Sequence, residues 1–254
     1  MIPAIALRKK LRGSEPVLGV LIVQHLWLEL IESCVDAGLD YAIIDAEHFD
    51  HGSRLMADAC SLGRAIGFPV LVRPASTEPT ALRLAMDLGP CGLLLPMVET
   101  PQQLDAACES VYLPPRGNRR PGGPGNRWVS KFDYESFRRE VEDPLIVIPQ
   151  IESPVGLENA RAIAAHPLTT ALGIGPFDLS ARLGVCGDAN HAKIQAAQQH
   201  LREAATAADK PAWTIGDAPT MIARNYRFIC VGDPTSLLQA TLKSLVHSVR
   251  ERST

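Results

Sequence analysis

The sequence predicts an α/β protein, a (β/α)8 (TIM) barrel. Three observations lead there. Eight short runs rich in Val, Ile and Leu alternate with longer stretches of helical period. The short runs are continuously apolar, as strands of a parallel sheet covered by helices are. The length, 254 residues, suits one such barrel, so 1–254 is read as a single domain.

The strands are expected in order at Val17–Val23, Tyr41–Asp45, Pro69–Arg73, Gly92–Met97, Leu145–Ile151, Thr170–Gly175, Ala212–Gly216 and Phe228–Gly232. Helices are expected between them. Leu26–Ala37 carries Leu26, Leu30, Ile31 and Cys34 at helical spacing. Ser53–Ile66 starts on a Ser, and Pro79–Leu88 has Pro in its first turn. Pro101–Ser110, Pro154–Ala165, His191–Ala208, Ala218–Asn225 and Pro234–Arg250 follow. Gly38, Gly67 and Gly89 stand where C-caps belong. One irregular stretch, 113–131 (LPPRGNRRPGGPGNRWVSK), reads as a long loop after the fourth unit.

Composition narrows the function. A hydrophobic content of 46% is ample for a core, and a net charge of −3 speaks against nucleic-acid binding. Lys9, Lys10 and Arg12 read as a solvated helix end. No apolar run approaches membrane-spanning length, and the first residues do not read as a signal peptide. The expected location is the cytoplasm. Six scattered cysteines without a CxxC pair argue against a disulfide scaffold or zinc knuckle.

Ionisable residues end several of the apolar runs. Asp45 and His48 close YAIIDAEH, Arg73 closes PVLVRP, Glu152 closes LIVIPQIE, and Asp178 follows TALGIGPFD. Barrel enzymes gather their chemistry at the rim where strands end. Glu152 and Asp178 suit a hard divalent cation, Mg2+ or Mn2+; the alternatives are a salt bridge or, for Asp178, a helix cap. Asp45 can hold the His48 imidazole in one tautomer and raise its basicity. Glu47, between them, is read as pointing away, and His51 as a surface residue. Arg73 at a barrel mouth calls for an anion, a substrate carboxylate or oxyanion, unless it pairs with Asp45 or Glu47. The turn from Gly173 to Asp178 allows close approach of a ligand to backbone and offers helix-start N–H groups. None of the six lysines lies in an expected strand, which removes the nucleophile for Schiff-base chemistry. Neither a GxSxG elbow nor a P-loop occurs.

Taken together, LRKKLRGSEPVLGV, AGLDYAIIDAEH, PVLVRP, DLGPCGLLLPMVETPQQL, YLPPRGNR, IPQIESPVGLENARAIAA, LGIGPFDLSARLG and VGDPTSLL resemble the HpcH/HpaI aldolases, metal-dependent class II pyruvate aldolases of the 4-hydroxy-2-oxoheptanedioate aldolase kind. The resemblance implies reversible cleavage of a 4-hydroxy-2-oxo acid to pyruvate, or a close 2-oxo acid, and an aldehyde through a metal-stabilised enolate. It implies a divalent ion (Mg2+ or Mn2+ first, Co2+ or Zn2+ as alternatives) on Glu152 and Asp178, with Gln150 beside it. Arg73 would contact the keto oxygen, and His48, oriented by Asp45, would be the base. Amides around Gly175 and Phe177 would hold the carboxylate, and Arg119 or Arg120 matches an arginine after the PPxG turn. A homo-oligomer, a hexamer or trimer of dimers with helix exchange, is also implied. Ala46 and Phe177 depart from the family pattern, as do PGGPGN and the segment around Trp213–Gly216. Competing readings are an acyl-CoA lyase, an oxaloacetate decarboxylase on the same machinery, or a barrel that binds oxo acids without turnover.

Overall fold

In the computed structural model, which describes residues 1–122, 127–129, 132–188 and 190–251, eight parallel strands close into a barrel in the order β1 to β8. They are β1 Val17–Ile22, β2 Tyr41–Asp45, β3 Val70–Arg73, β4 Gly92–Leu95, β5 Ile146–Ile151, β6 Leu172–Ile174, β7 Ala212–Ile215 and β8 Phe228–Cys230. Pairing of β1 with β8 closes the ring. Every strand expected from an apolar run is present. The residues of β2, β3, β4 and β5 are all buried, which is why those runs show no polar alternation.

The barrel centre is packed. The Trp213 indole N–H donates to the Tyr41 hydroxyl at 2.9 Å, both rings fully enclosed. Tyr41 meets Phe228 edge-on at 4.9 Å. Gly19 leaves the room: a Cβ there would come within 2.4 Å of the Tyr41 ring. These rings fill the interior as layered side chains do in barrels of this kind.

Twelve α-helices are found among the described residues. They are α1 Ile2–Leu11, α2 Leu28–Asp36, α3 Ser53–Ile66, α4 Pro79–Asp87, α5 Pro101–Val111, α6 Tyr134–Phe137, α7 Pro154–Glu158, α8 Ala160–Ala165, α9 Pro176–Arg182, α10 Ala192–Ala207, α11 Ala218–Ala223 and α12 Pro234–Glu251. Local chemistry sets several of their ends. Gly67 takes a left-handed φ of 77° after α3, as a C-cap glycine does. Thr100 and Gln103 form a capping box at the start of α5. Ser153 caps α7 by accepting from the Gly156 N–H at 3.1 Å, which fixes the chain directly after Glu152.

Two features differ from the expected elements. The stretch Pro154–Ala165 is two helices broken at Asn159, whose side chain donates to the Glu99 carbonyl at 2.8 Å. The N-terminal residues form a full helix, α1, across the end of the barrel where strands begin; Arg8 reaches the Leu145 carbonyl just before β5. Parts of the expected loop 113–131, namely 123–126 and 130–131, lie outside the described residues. Helix α12 buries none of its residues. Among the described residues no helix is long and apolar enough to cross a membrane.

Candidate active site

Strand register builds the site. In the β2–β3 ladder Asp45 is the partner of Arg73, and both are buried. Arg73 donates Nε to Asp45 Oδ1 at 2.8 Å and Nη2 to Oδ2 at 2.7 Å, a two-pronged grip. Asp45 Oδ1 also accepts the Glu47 N–H at 3.0 Å. Burial alone would lower the Arg73 pKa, but Asp45, Glu47 and Glu152 outweigh it and hold the guanidinium firmly charged.

This corrects the expected Asp45–His48 pair. Asp45 spends its carboxylate on Arg73 because neighbouring strands in register place the two side by side; His48 lies past the strand end. The acid beside His48 is Glu47: its Oε2 is 3.8 Å from His48 Nε2 and 3.2 Å from Arg73 Nε. Glu47 therefore turns toward Arg73 rather than away from it. Burial raises its pKa, opposed by Arg73 and His48 and reinforced by Asp45 and Asp178. A signal for this existed in the sequence: a carboxylate two residues after a strand-end Asp, with a strand-end Arg in the next unit.

Glu152 follows β5 and is buried. Its Oε2 accepts the Met97 N–H at 2.9 Å. Met97 adopts a φ of 51°, an uncommon conformation for a non-glycine residue, just after β4. Glu152 Oε1 has no hydrogen-bond partner, and the same holds for Gln150 Oε1 and Glu47 Oε2. Burial pushes the Glu152 carboxyl up to about 7; Glu47 and Asp178 add to this and the Met97 amide opposes it. Asp178 sits in the first turn of α9 and is exposed. It lies inside the helix, whose start is Pro176, so it is not the cap residue.

Gly175 precedes α9 and lies tight against the carboxylate. A Cβ there would sit 2.1 Å from Glu152 Oε1 and 2.6 Å from Gln150 Nε2. Its own N–H is taken by the Ile151 carbonyl at 3.1 Å, so of the amides expected to serve a carboxylate, those at Phe177 and Asp178 are the ones without an intrahelical acceptor. The Phe177 ring stands in solvent, 66% exposed.

Two further expectations fail. Arg119 is buried, with Nε on the Val111 carbonyl at 3.1 Å and Nη1 on Asp87 at 3.3 Å. Val111 and Asp87 end α5 and α4, so within its own chain Arg119 is set toward the end of the barrel opposite the rim, away from Arg73 and Glu152. His51 is half-buried, 5.1 Å from the Phe49 ring, rather than a surface residue. From Glu47, His48 and Phe49 an apolar groove of about 930 Å³ runs outward between α3 and α4; Glu152 and Asp178 are not in its walls.

The site thus joins a fixed cation, two inward carboxylates, an amide oxygen and a half-exposed imidazole at one rim. That set can polarise a carbonyl, hold an anion and move a proton. The description HpcH/HpaI aldolase/citrate lyase matches residues 24–232. A hydroxypyruvate/pyruvate aldolase of Chromohalobacter salexigens is 33% identical over 220 residues, covering 84% of this chain and 86% of that one. A 5-keto-4-deoxy-D-glucarate aldolase of Shigella dysenteriae is 30% identical, covering 85% of each. The crystal structure of an HpcH/HpaI aldolase from Desulfitobacterium hafniense superposes with a TM-score of 0.86 at 26% identity, over 96% of both chains. The chain belongs to the HpcH/HpaI aldolase/citrate lyase family and is a carbon–carbon lyase of the aldolase class.

Proposed function

We propose that this enzyme cleaves a 4-hydroxy-2-oxo acid reversibly into pyruvate, or a close 2-oxo acid, and an aldehyde. The observation that carries the reading is the pair of buried acceptors without donors, Gln150 Oε1 and Glu152 Oε1, at the same rim as a guanidinium locked in place by Asp45. Buried acceptors without partners are costly, and a bound cation would answer that cost.

Class II aldolases of this family depend on a divalent metal, and these residues suit one. Among the described residues no cluster of three or more His, Cys, Asp or Glu side chains could hold an ion. Two carboxylates are what Mg2+ or Mn2+ takes when substrate oxygens and water complete its shell. Glu152 and Asp178 would hold it, with Gln150 beside them. When bound, the ion acts as a Lewis acid on the 2-oxo group.

The chain's own groups do the rest. Arg73 faces the negative charge that develops on the oxo oxygen, and Asp45 keeps its fork from turning. Glu47, between Arg73 and His48, positions the imidazole. In cleavage His48 takes the proton of the C4 hydroxyl, directly or through a water, as the C3–C4 bond breaks to give the aldehyde and the enolate, and a proton is then returned to C3 to form the methyl group of pyruvate. The half-exposed position of His48 suits a group that exchanges protons with solvent.

The exposed face of α12 fits a homo-oligomer, a hexamer or trimer of dimers with exchanged helices. Leu238, Leu242, Leu245 and Val249 form one stripe on this helix and are each at least half exposed, a pattern that marks an interaction surface.

The reading is tested by incubating the enzyme in D2O with pyruvate and Mg2+ or Mn2+, and following deuterium entry into the methyl group by NMR. Uptake that depends on the ion and disappears in Glu152→Ala supports the reading. Metal-independent uptake, or uptake kept in Glu152→Ala, would sink it.

A further inference from the structure

The end of the barrel away from the rim gathers positive charge that the aldolase reading leaves unused. Arg8 donates Nη1 to the carbonyls of Asp143 at 3.3 Å and Leu145 at 3.0 Å. Lys210 donates Nζ to the carbonyls of Ala164 at 2.6 Å and His166 at 2.7 Å. Carbonyl dipoles orient both cations without cancelling either charge. Neither forms an ion pair with a carboxylate among the described residues, and the Arg12 side chain has no hydrogen bond or ion pair there.

These three cations share one recess. Arg8 from α1 and Arg12 just past its end, Thr169 and Thr170 from the turn before β6, and Asp209 and Lys210 from the turn before β7 enclose about 160 Å³. Asp209 is the one acid in that wall. The nearby Asp143 is engaged by Arg116 and Arg138. The cations repel one another. Burial lowers the Arg8 pKa and Arg12 lowers it further; burial lowers that of Lys210 and Arg8 adds to it. A second depression on the far side of Arg8 and Arg12 brings Lys9 and Arg139.

Basic residues at the last turn of α1 are expected from the helix dipole alone. The dipole does not account for Lys210, which comes from another element and is turned to the same recess. Three cations less Asp209 leave two positive charges. The enclosed volume suits one tetrahedral group, and guanidinium forks match its oxygens.

We propose that this recess binds a small oxyanion of two negative charges, inorganic phosphate or a phosphate monoester, at a site separate from the catalytic rim. Exposed Arg12 recognises the anion, while Arg8 and Lys210 are its preset walls.

The test is calorimetric titration of the intact enzyme with inorganic phosphate and with glycerol phosphate at constant ionic strength. The comparison variants are Arg12→Ala and Lys9→Ala, with circular dichroism as the check of folding. Saturable binding that weakens roughly tenfold or more in Arg12→Ala, and stays within about twofold in Lys9→Ala, supports the site. The stronger of the two ligands then says whether free phosphate or a monoester is the occupant. Absence of saturable binding overturns the proposal. Unchanged binding in Arg12→Ala, or equal loss in Lys9→Ala, also overturns it, the latter because it signals a diffuse surface field. Displacement of phosphate by pyruvate would place the anion at the rim and overturn it as well.

Discussion

Asp45 grips Arg73 through two hydrogen bonds of 2.8 and 2.7 Å, both residues being buried. Adjacent strands in register put the pair there, and the grip decides which residue Asp45 serves. Breaking a buried charge pair from one side strands the other charge. Asp45→Ala is therefore expected to cost about 3 kcal/mol or more in urea unfolding. A double-mutant cycle checks the partner. Asp45→Asn with Arg73→Lys should show a coupling above about 1 kcal/mol in turnover, and Asp45→Asn with His48→Gln close to none. The reverse pattern would restore Asp45 as the support of His48.

Gly175 is required by space rather than by backbone conformation, since its φ is −97°. An Ala methyl would press on Glu152 Oε1 and Gln150 Nε2. Gly175→Ala should keep the fold and lower affinity for Mn2+ by about 10–100-fold, the range seen when groups that orient metal ligands are disturbed. Calorimetric titration with Mn2+ reads this. Unchanged affinity would mean that Glu152 does not hold the ion.

Burial pushes the Glu152 carboxyl up to about 7, with Glu47 and Asp178 reinforcing it. A raised folded pKa means that the folded metal-free enzyme holds a proton the unfolded chain has lost. The stabilisation is fully present below the unfolded value, about 4.5, and disappears as pH rises through 7. It amounts to roughly 3 kcal/mol over that window. The metal-free enzyme should thus unfold at lower urea at pH 8 than at pH 5, and Glu152→Gln should flatten the difference. Ion binding needs the carboxylate, so it should release close to one proton per ion near pH 6 and about a tenth of one near pH 8. Titration in buffers of different ionisation heat measures the release. A release that does not change with pH would count against Glu152 as the ligand.

Much of this arrangement can be read from the chain before any fold is known. A buried parallel strand must be apolar throughout and must stop where its chain meets the rim, so the runs ending at Asp45, Arg73 and Ile151 announce themselves. What a strand-end side chain touches is another matter. It depends on the register with the next strand, and the apolar pattern is indifferent to register. Asp45 could not be assigned to Arg73 over His48 on spacing, and Glu47 could not be seen to turn inward. Arg119 misled for a related reason. Its motif follows α5, and the helix carries the chain to the far end of the barrel before the motif begins. Position after a strand speaks of the rim; position after a helix does not. Gly175 is legible only as permission for close approach; that Glu152 makes the approach needs the β5–β6 pairing.

Helix α12 spans Pro234–Glu251 and buries none of its residues. Its base is firm: Asp233 accepts the Val23 N–H at 3.0 Å and the Ser236 N–H at 3.0 Å, which ties the start of the helix to the end of β1. Beyond that base Leu238, Leu242 and Leu245 recur at helical spacing on one side. A charge placed in that stripe has little to disturb within the monomer, where surface substitutions cost within about 0.5 kcal/mol. Across an interface it would be a buried unpaired charge. Leu242→Glu is therefore expected to shift the mass in light scattering toward the monomer while circular dichroism stays the same. Leu242→Met, which keeps the apolar contact, should leave the mass unchanged. Glu at 242 with no effect on mass would leave the stripe without a role in assembly.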